Sequence, residues 1–442
     1  MRCTLHFTSI LPAAAAVLVL ATAPQLAAAN EPEAKLPLDE LRTFADVFSQ
    51  IRAGYVEEVD DSTLLEYAIQ GMLSGLDPHS VYMTKDEFSD LQEGTSGEFS
   101  GLGLEVGLED GFITIIAPID GSPAAAADLR SGDVILKLDN APVQGMGLNE
   151  AIETMRGPKG SKIELTIGRP GESQPFTVTL VRDTIKMASV RGRWLEPGYG
   201  YIRVAQFQVE TGEDVAKALK KLQDTGKLKG LVLDLRNNPG GVLSASVNVA
   251  DLFLDGGPVV YTEGRLPNSN MHFNAQPGDV TEDAPIVVLI NAGSASASEI
   301  VAGALQDRGR AVIMGSDSFG KGSVQTILPL SESRAIKLTT ALYFTPSGRS
   351  IQAEGIVPDI LVERAQFTTY TDGEQIIESD LSGHLGNGNG ESEARKTRAS
   401  SAKAAAELLT SDNQLYEALT LLKGINILGL RDKAAEESAA GS

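Results

Sequence analysis

Three short apolar runs, separated by segments with helical character, constrain the fold more than any other feature. They read "GLVLDL" from Gly230, "PIVVLI" from Pro285 and "AVIMG" from Ala311, with helical stretches such as "VLSASVNVADLFL" between them. Alternation of buried strands with helices is typical of α/β proteins. The segment 183–366 is therefore predicted to form a mixed α/β core, and a chain of 442 residues has room for further domains.

The stretch 97–182, ahead of this core, has a different pattern. It contains the strand-like runs "GLGLEVGL", "FITIIAPI", "DVILKLD", "KIELTIG" and "FTVTLV", and one helical stretch, "GLNEAIETMRG". Runs of this length, bounded by turn residues, are typical of β-strands. We therefore predict a small β-rich module here, and the alternative is a generic β-sandwich that binds nothing.

The stretch 30–96 has helical periodicity. Leu41, Phe44, Phe48, Ile51 and Tyr55 recur at alternating steps of three and four residues, which places them on one helix face. We favour a helix packed on its own protein, and a seam with a second copy of the chain is the alternative.

The C-terminal stretch 367–442 begins with a polar, Gly/Ser-rich sequence that contains "LSGHLGNGNGESEARK" and is typical of a linker. The sequence "NQLYEALTLLKG" after it predicts a short amphipathic helix.

The first 29 residues have the three-part pattern of a secretory signal peptide. A short basic start at Arg2 precedes the apolar stretch "ILPAAAAVLVLATA", and small residues follow at Ala27 and Ala29. An uncleaved membrane anchor is the alternative. The single cysteine, Cys3, lies inside this segment, so cysteine catalysis and disulfides are excluded for a mature chain.

Charge and motif patterns exclude several other functions. The chain carries 37 basic and 59 acidic residues, a formal charge of −22, which argues against a nucleic-acid partner. No histidines and carboxylates have metal-ligand spacing, so no metal or other cofactor is expected. The loop "GSDSFGKGS" comes close to a phosphate-binding loop, but Gly322 replaces the required hydroxyl and a strand-like run follows.

With cysteine catalysis, a metal site and a phosphate-binding loop excluded, a serine nucleophile is the remaining candidate for catalysis. "NAGSASASEI" places Ser294, Ser296 and Ser298 directly after a buried run. A lysine such as Lys321 can serve as the general base for a serine if burial keeps its amine neutral. Because a free lysine titrates near 10.4, this requires a downward shift of about 3 pKa units.

The motifs "GSASASEI" and "GKGSVQ" resemble those of the carboxyl-terminal processing peptidases, or tail-specific proteases, whose core has a crotonase/Clp-protease-like fold. The resemblance implies a serine endopeptidase that acts through an acyl-enzyme, with Ser296 as the nucleophile. It also implies that Lys321, 25 residues later, is the general base and that Gln325 orients it.

A serine at the first turn of a helix has outward-pointing N–H groups beside it, and these can stabilise an oxyanion. Ala297 is the natural first donor, and the resemblance places the second at Gly240 or Gly241 in "LRNNPGG". We expect Ser294 and Ser298 to cap or pack, and Glu299 to complement the helix dipole.

The β-rich module 97–182 resembles a PDZ domain. "GLGL", formed by Gly101, Leu102, Gly103 and Leu104, matches the loop that receives a terminal carboxylate in that family. "MRGPKGS" resembles the segment that couples this domain to the protease, which makes Arg156 a candidate sensor. An exposed arginine at a helix end is the alternative.

The partners implied are protein or peptide substrates with an apolar C-terminus. A regulatory or adaptor protein and a homo-oligomer through the N-terminal helices remain open. The signal peptide, the absence of other cysteines and the resemblance together favour a bacterial periplasm. The rival function is a non-catalytic PDZ scaffold on a degenerate core, against which the presence of both Ser296 and Lys321 counts.

Overall fold

The computed structural model describes residues 36–109, 111–119, 121–331, 334–367, 382–383, 385 and 405–440. The predicted signal peptide and most of the predicted linker lie outside these residues. The chain divides into two compact units, Met1–Ala68 and Ile69–Ser442. Among the helices described, none combines the length and the apolar character needed to span a membrane.

The predicted N-terminal helical region begins with α1 (Leu38–Gly54) and α2 (Asp61–Ser74). Acidic residues at the start of α1 and Arg52 in its last turn complement the helix dipole. None of the residues of α1 is buried; Leu41, Phe44 and Ile51 of its apolar face are exposed, and Phe48 is half-buried. The favoured prediction, a helix packed on its own protein, stays a prediction.

The region ends with β1 (Val81–Met83) and α3 (Lys85–Ser96). Thr84 and Glu87 form a capping box at the start of α3. Gly97 ends the helix with a φ of +73°, a conformation that glycine adopts without strain.

The predicted mixed α/β core is confirmed. The three apolar runs form β12 (Gly230–Asp234), β15 (Ile286–Ile290) and β16 (Ala311–Gly315), which are parallel neighbours in a six-stranded sheet. The other strands are β10 (Val190–Glu196), β11 (Tyr199–Val204) and β19 (Ile360–Leu361), in the order β10-β11-β12-β15-β16-β19, and only β10 is antiparallel.

Helices cover both faces of this sheet. Successive residues of a strand point to opposite faces, so Leu231 and Leu233 pack against the helices of one face while Val232 packs against the other. The first face is covered by α6 (Thr211–Gln223), α7 (Leu243–Asp251) and α8 (Ala297–Asp307).

A second sheet is built around the long strand β18 (Arg334–Phe344). It pairs with β17 (Ser323–Ser331), with β13 (Gly257–Gly264) and with β1. Strand β14 (Met271–Ala275) pairs with β13, and a 3-10 turn, Pro267–Ser269, lies between them. The segment around β1 is thereby brought beside the core.

The β-rich module forms its own sheet and its own apolar core, which includes Ile115, Leu165 and Ile167. Its elements are β3 (Leu104–Glu109), β4 (Phe112–Pro118), α4 (Pro123–Ala126), β5 (Val134–Leu138), β6 (Ala141–Pro142), α5 (Leu148–Met155), β7 (Lys162–Gly168) and β8 (Phe176–Val181). The strand order is β3-β4-β5-β7-β8, with β6 paired to β5. On either side of the module, β2 (Glu98–Gly101) and β9 (Asp183–Lys186) pair with each other.

The C-terminal part contains α9, described over 405–411, and α10 (Asn413–Ala440). Leu415, Ala418 and Leu422 of α10 pack on the sheet face opposite α6 to α8. The predicted short helix is present, but it continues to 28 residues because "DKAAEESAA" beyond it consists mostly of strong helix formers.

Candidate active site

Ser296 lies between β15 and the first residue of α8. Its φ of +55° is a conformation that costs a residue with a side chain roughly 1–3 kcal/mol. The neighbouring hydroxyls are both used: Ser294 donates to the carbonyl of Leu235 at 2.8 Å, and Ser298 to that of Asn238 at 2.9 Å. The Ser296 hydroxyl donates to no acceptor among the described residues, so its proton is available.

Lys321 lies half-buried in the loop between β16 and β17. Its amine forms no hydrogen bond or ion pair with the described residues. Burial lowers the pKa of Lys321 below its ordinary value of 10.5, and the charge of Lys337 lowers it further, whereas Asp77 and Glu299 oppose this. The neutral amine is therefore more accessible here than in a free lysine.

One carboxylate holds the backbones of Ser296 and Lys321 together. Oε2 of Glu299 accepts the N–H of Ser296 at 2.7 Å and that of Lys321 at 2.9 Å. Oε1 accepts the N–H of Gly320 at 2.6 Å and the hydroxyl of Ser318 at 2.5 Å. Burial raises the pKa of Glu299, but these four donors favour the ionised form. Glu299 was expected to complement the helix dipole. It also accepts hydrogen bonds from both of the loops that carry Ser296 and Lys321.

Tyr343 of β18 makes a second connection between the same two residues. Its hydroxyl lies 3.1 Å from the carbonyl oxygen of Ser296 and also contacts that of Lys321. Burial raises the pKa of Tyr343 well above its ordinary value, so the hydroxyl remains a donor. Because Tyr343 belongs to the apolar core, core packing fixes the position of both backbones.

Gln325 lies on β17. Its amide nitrogen donates to the hydroxyls of Ser323 at 3.0 Å and Thr339 at 3.3 Å, and Thr339 in turn donates to Asp77 at 3.2 Å. Gln325 and Lys321 line the same cavity, but no hydrogen bond joins their side chains among the described residues. The orienting role of Gln325 stays a prediction.

The loop after β12 approaches Ser296 closely. A Cβ on Gly240 would lie 2.8 Å from the Cβ of Ser296, so this approach requires glycine. The N–H of Gly240 donates to Oδ1 of Asn238 at 2.9 Å. In contrast, the N–H groups of Gly241 and Ala297 have no acceptor within the described chain. Of the two glycines predicted as alternatives, Gly241 therefore has the N–H that is free to bind an oxyanion.

An ion-pair cluster fixes the start of this loop. Arg236 donates to both oxygens of Asp234, at 3.0 and 2.7 Å, and to both oxygens of Asp412, at 2.9 and 2.7 Å. Asp234 is completely buried, and such a charge is tolerated when it is paired and hydrogen-bonded.

A cavity of about 530 Å³ opens at Ser296 and is also lined by Lys321 and Lys337. Helix α3 contributes Asp90 and Gly94 to its wall. Apolar side chains dominate the rest of the lining: Leu91, Phe207, Val242, Leu243, Ile300, Val324 and Ile327. No group of side chains suited to hold a metal ion occurs in the described part of the chain.

A second cavity, of about 520 Å³, lies between β3 and α5. The predicted residues Gly101, Leu102, Gly103 and Leu104 all line it. The N–H groups of Leu102 and Gly103 have no acceptor among the described residues, so they can receive an anionic group. The other lining residues are the apolar Phe99, Val106, Ile152, Met155 and Met187, together with Gly94 and the charged Asp90, Glu93, Glu105 and Arg156.

Arg156 follows α5 at the edge of this second cavity. It donates to Glu93 at 3.0 Å and lies 3.6 Å from Asp90, both on α3. Helix α3 also lines the cavity at Ser296, so one helix forms a wall of both cavities. Arg156 is not an unpaired surface arginine, and its sensor role stays a prediction.

Two functional contacts were missed by the sequence analysis. Glu299 stands three residues after Ser296, a spacing at which a side chain reaches back to the N–H ahead of a helix. That spacing could have identified its bond to Ser296, but not the bond to Lys321. Asp412 lies 176 residues from Arg236, and no local pattern connects the two.

Comparison with known families gives three matches along the chain. Residues 198–362 match peptidase family S41, residues 90–168 match the PDZ domain, and residues 15–87 match the N-terminal domain of the activating protease CtpB.

Curated relatives match over most of their length. A carboxy-terminal-processing protease of Bartonella bacilliformis is 49% identical over 87% of this chain and 88% of its own. The carboxy-terminal processing protease CtpA of Bacillus subtilis is 34% identical over 76% and 72%, respectively. A solved structure of the photosystem II D1 C-terminal processing protease aligns over 73% of this chain and 93% of its own, with 31% identity and a TM-score of 0.42.

The relatives share the names of carboxy-terminal processing proteases, and the family matches span the α/β core and the β-rich module described above. The chain therefore belongs to peptidase family S41 and is a carboxy-terminal processing serine protease with a PDZ domain.

Proposed function

We propose that this protease cleaves peptide bonds with Ser296 as the nucleophile and Lys321 as its general base. The observation that carries the proposal is that a hydroxyl with an available proton and an unpaired, half-buried amine line one cavity. Their backbones are held by the same carboxylate, that of Glu299. A rigid arrangement of this kind is what nucleophilic catalysis requires.

The steps follow from these two groups. Neutral Lys321 takes the proton of the Ser296 hydroxyl as its oxygen attacks the scissile carbonyl carbon. When the tetrahedral intermediate collapses, the C–N bond breaks and the ammonium of Lys321 gives its proton to the leaving amine. A water molecule then gives a proton to Lys321 as its oxygen attacks the ester carbonyl carbon. When this second intermediate collapses, the C–Oγ bond breaks and the ammonium of Lys321 returns the proton to Oγ of Ser296, which releases the carboxylic acid and restores the serine.

The negative oxygen of the intermediate is bound by two backbone N–H groups. We assign these to Ala297 and Gly241, because neither N–H has another acceptor among the described residues. Ala297 also lies at the positive end of the α8 dipole. Loss of one such donor costs about 100-fold to 1,000-fold in kcat in other proteases.

The dyad is tested with Ser296→Ala and Lys321→Ala, using turnover of an unfolded protein substrate. Each should lose at least about a thousandfold in kcat, because the two groups act as one unit. Matched controls are Ser244→Ala, an exposed serine in the first turn of α7, and Lys220→Ala, an exposed lysine of α6. Both should keep wild-type turnover.

A fluorophosphonate probe gives an independent reading, since it should label the wild-type protein on Ser296 alone. Turnover in Ser296→Ala, or a label on a different serine, would remove the proposal.

We further propose that the PDZ cavity binds the C-terminal end of substrates. The free N–H groups of Leu102 and Gly103 would receive the terminal carboxylate, β3 would pair with the peptide, and the apolar lining would take its last side chain. Amidation of the peptide removes the charge, and with it about 1.5–3 kcal/mol of hydrogen bonding. Affinity for full-length Ser296→Ala protein should then fall about tenfold to a hundredfold. Equal affinity for acid and amide would contradict C-terminal recognition.

Because α3 forms a wall of both cavities, we favour a role for Arg156 in gating the active site over a PDZ domain that only tethers the substrate. Occupancy of the PDZ cavity can act on the Arg156–Glu93 contact, and α3 transmits the change to the cavity at Ser296. If so, Arg156→Ala should change kcat at saturating substrate. Lys159→Ala, which removes an exposed ion pair on the following loop, should not. An effect of Arg156→Ala on KM alone would indicate tethering.

The N-terminal residues support two further proposals. Residues 1–29 direct export to a bacterial periplasm, so the mature chain should begin at Asn30, which N-terminal sequencing of exported protein would test.

The exposed apolar face of α1 pairs with a second copy, because an uncovered stripe of this kind is unfavourable in water. Phe44→Asp should then convert a dimer to a monomer in light scattering, whereas a wild-type monomer at micromolar concentration would refute the pairing.

A further inference from the structure

The side chain of Arg236 is saturated by hydrogen bonds. Its five N–H groups meet two oxygens of Asp234, two oxygens of Asp412 and the amide oxygen of Gln414, at distances between 2.7 and 3.0 Å. Five is the full donor capacity of a guanidinium group. Two of the three partners come from the C-terminal part of the chain, after the predicted linker and outside the matched peptidase segment 198–362.

The backbone of Arg236 leads directly into the loop that contains Gly241. Asn237, the next residue, has a φ of +54°, and its N–H donates to Asn291 at 2.8 Å. Asn238 then holds the N–H of Gly240, and its carbonyl oxygen accepts the N–H of Ala295 at 3.0 Å. The position of this loop thus depends on a continuous set of contacts that begins at the guanidinium group.

Asp412 is itself held firmly. Its Oδ1 accepts the N–H of Leu415 at 3.0 Å, so it caps the start of α10. Asn413 and Gln414 donate to the carbonyl oxygens of Glu363 and Val362, at 2.8 and 2.6 Å. The charge of Arg236 keeps the pKa of Asp412 low despite burial, so the carboxylate is ionised near neutral pH.

We propose that Asp412 is a positioning residue for the oxyanion-binding loop, acting through Arg236 from a segment outside the peptidase domain. The inference rests on the proposed function, because it assumes that Gly241 binds the oxyanion. Without Asp412, two N–H groups of a nearly buried guanidinium lose ionised acceptors, and Arg236 must turn towards water to recover them. A shift of the loop by a fraction of an ångström then misplaces the Gly241 N–H, and such errors reduce kcat strongly.

The test compares Asp412→Asn with the wild type in the full chain. Asparagine caps a helix about as well as aspartate, so this change spares α10 while removing the charge and one acceptor from Arg236. We expect kcat to fall about tenfold with KM within twofold. The affinity for a peptide boronate, whose tetrahedral adduct places an oxygen in the oxyanion site, should fall in parallel with kcat/KM. Asp412→Ala should lose more than Asp412→Asn.

The matched control is Lys423→Met. It removes the 2.6 Å ion pair between α10 and Glu196 of β10, so it loosens the same helix without touching Arg236. Its kcat should stay within twofold of the wild type. Wild-type kcat in Asp412→Asn, or an equal loss in Lys423→Met, would overturn the inference. Activity in Ser296→Ala would instead refute the proposed function, so the two failures are distinguishable.

Discussion

Replacing Glu299 by glutamine tests whether this side chain holds the active site together or only complements the dipole of α8. Each carboxylate oxygen accepts two donors. A glutamine has one oxygen, and its NH₂ group would face two donors, so at least two hydrogen bonds are lost. At about 1.5–3 kcal/mol for each charge-assisted bond, the free energy of unfolding should fall by about 3–6 kcal/mol. The helix-dipole contribution alone would give about 0.3–1 kcal/mol.

The chain offers a convenient probe and a matched control. Trp194, the single tryptophan, packs against the core, so its fluorescence reports unfolding in denaturant. Glu213 occupies the first turn of α6 but is exposed, so Glu213→Gln measures the dipole contribution together with one solvent-exposed ion pair, to Lys217 at 3.5 Å, which contributes little to stability. At a temperature where both variants are folded, kcat should be near the wild-type value for Glu213→Gln. For Glu299→Gln it should fall at least about a hundredfold, because the spacing of Ser296 and Lys321 is no longer fixed.

If Glu299→Gln loses no more stability than Glu213→Gln and keeps its turnover, the four hydrogen bonds are not what fixes the two backbones. The reasoning would then be wrong at its first step.

Three further changes have expected outcomes. Lys337→Met should move the rise of kcat/KM to higher pH, because neutral Lys321 is the active form in the proposed mechanism and the charge of Lys337 lowers its pKa. Lys337→Arg should leave the pH profile unmoved, and an unmoved profile in Lys337→Met would count against this coupling. Gly240→Ala should abolish turnover in a folded protein, since the alanine Cβ would lie 2.8 Å from the Cβ of Ser296 and the backbone φ at this position is +101°. A variant that keeps half of the wild-type kcat, with an unchanged circular dichroism spectrum, would contradict this prediction. Arg182→Met should lower the unfolding free energy of the PDZ module by about 2–3 kcal/mol, because the guanidinium donates to two carbonyl oxygens at the end of α5. Hydrogen exchange of the β7 amides measures this loss of stability, and unchanged protection there would exclude the effect.

Local patterns predicted the elements of the core because burial determines them. The runs at Gly230, Pro285 and Ala311 are strands buried on both faces, so they read as continuous apolar segments. Local sequence was also sufficient to reject a phosphate-binding loop at Lys321, because a strand, β17, follows where such a loop requires a helix. Patterning could not show whether the apolar face of α1 is covered, because an apolar stripe is the same whichever molecule covers it.

The candidate site was only partly predictable. Ser296 and Lys321 came from a family resemblance together with their spacing, and the structure places both on one cavity. The contacts that hold them are side chain to backbone bonds across loops, as in Glu299 with Lys321, or ion pairs between distant segments, as in Arg236 with Asp412. Such contacts have no period along the chain, so neither propensity nor hydrophobic spacing reports them.

The pairing of β2 with β9 has a consequence for how such a protein can change over time. Glu98 lies opposite Lys186 and Gly101 opposite Asp183, so the chain leaves the core and returns to it side by side. The whole PDZ module therefore occupies the loop of a hairpin whose two strands are β2 and β9. The entropic cost of closing such a loop rises only slowly with its length. Another domain whose ends lie equally close could occupy the same position with little effect on the catalytic sheet. This topology therefore allows substrate recognition and peptide hydrolysis to evolve as separate modules.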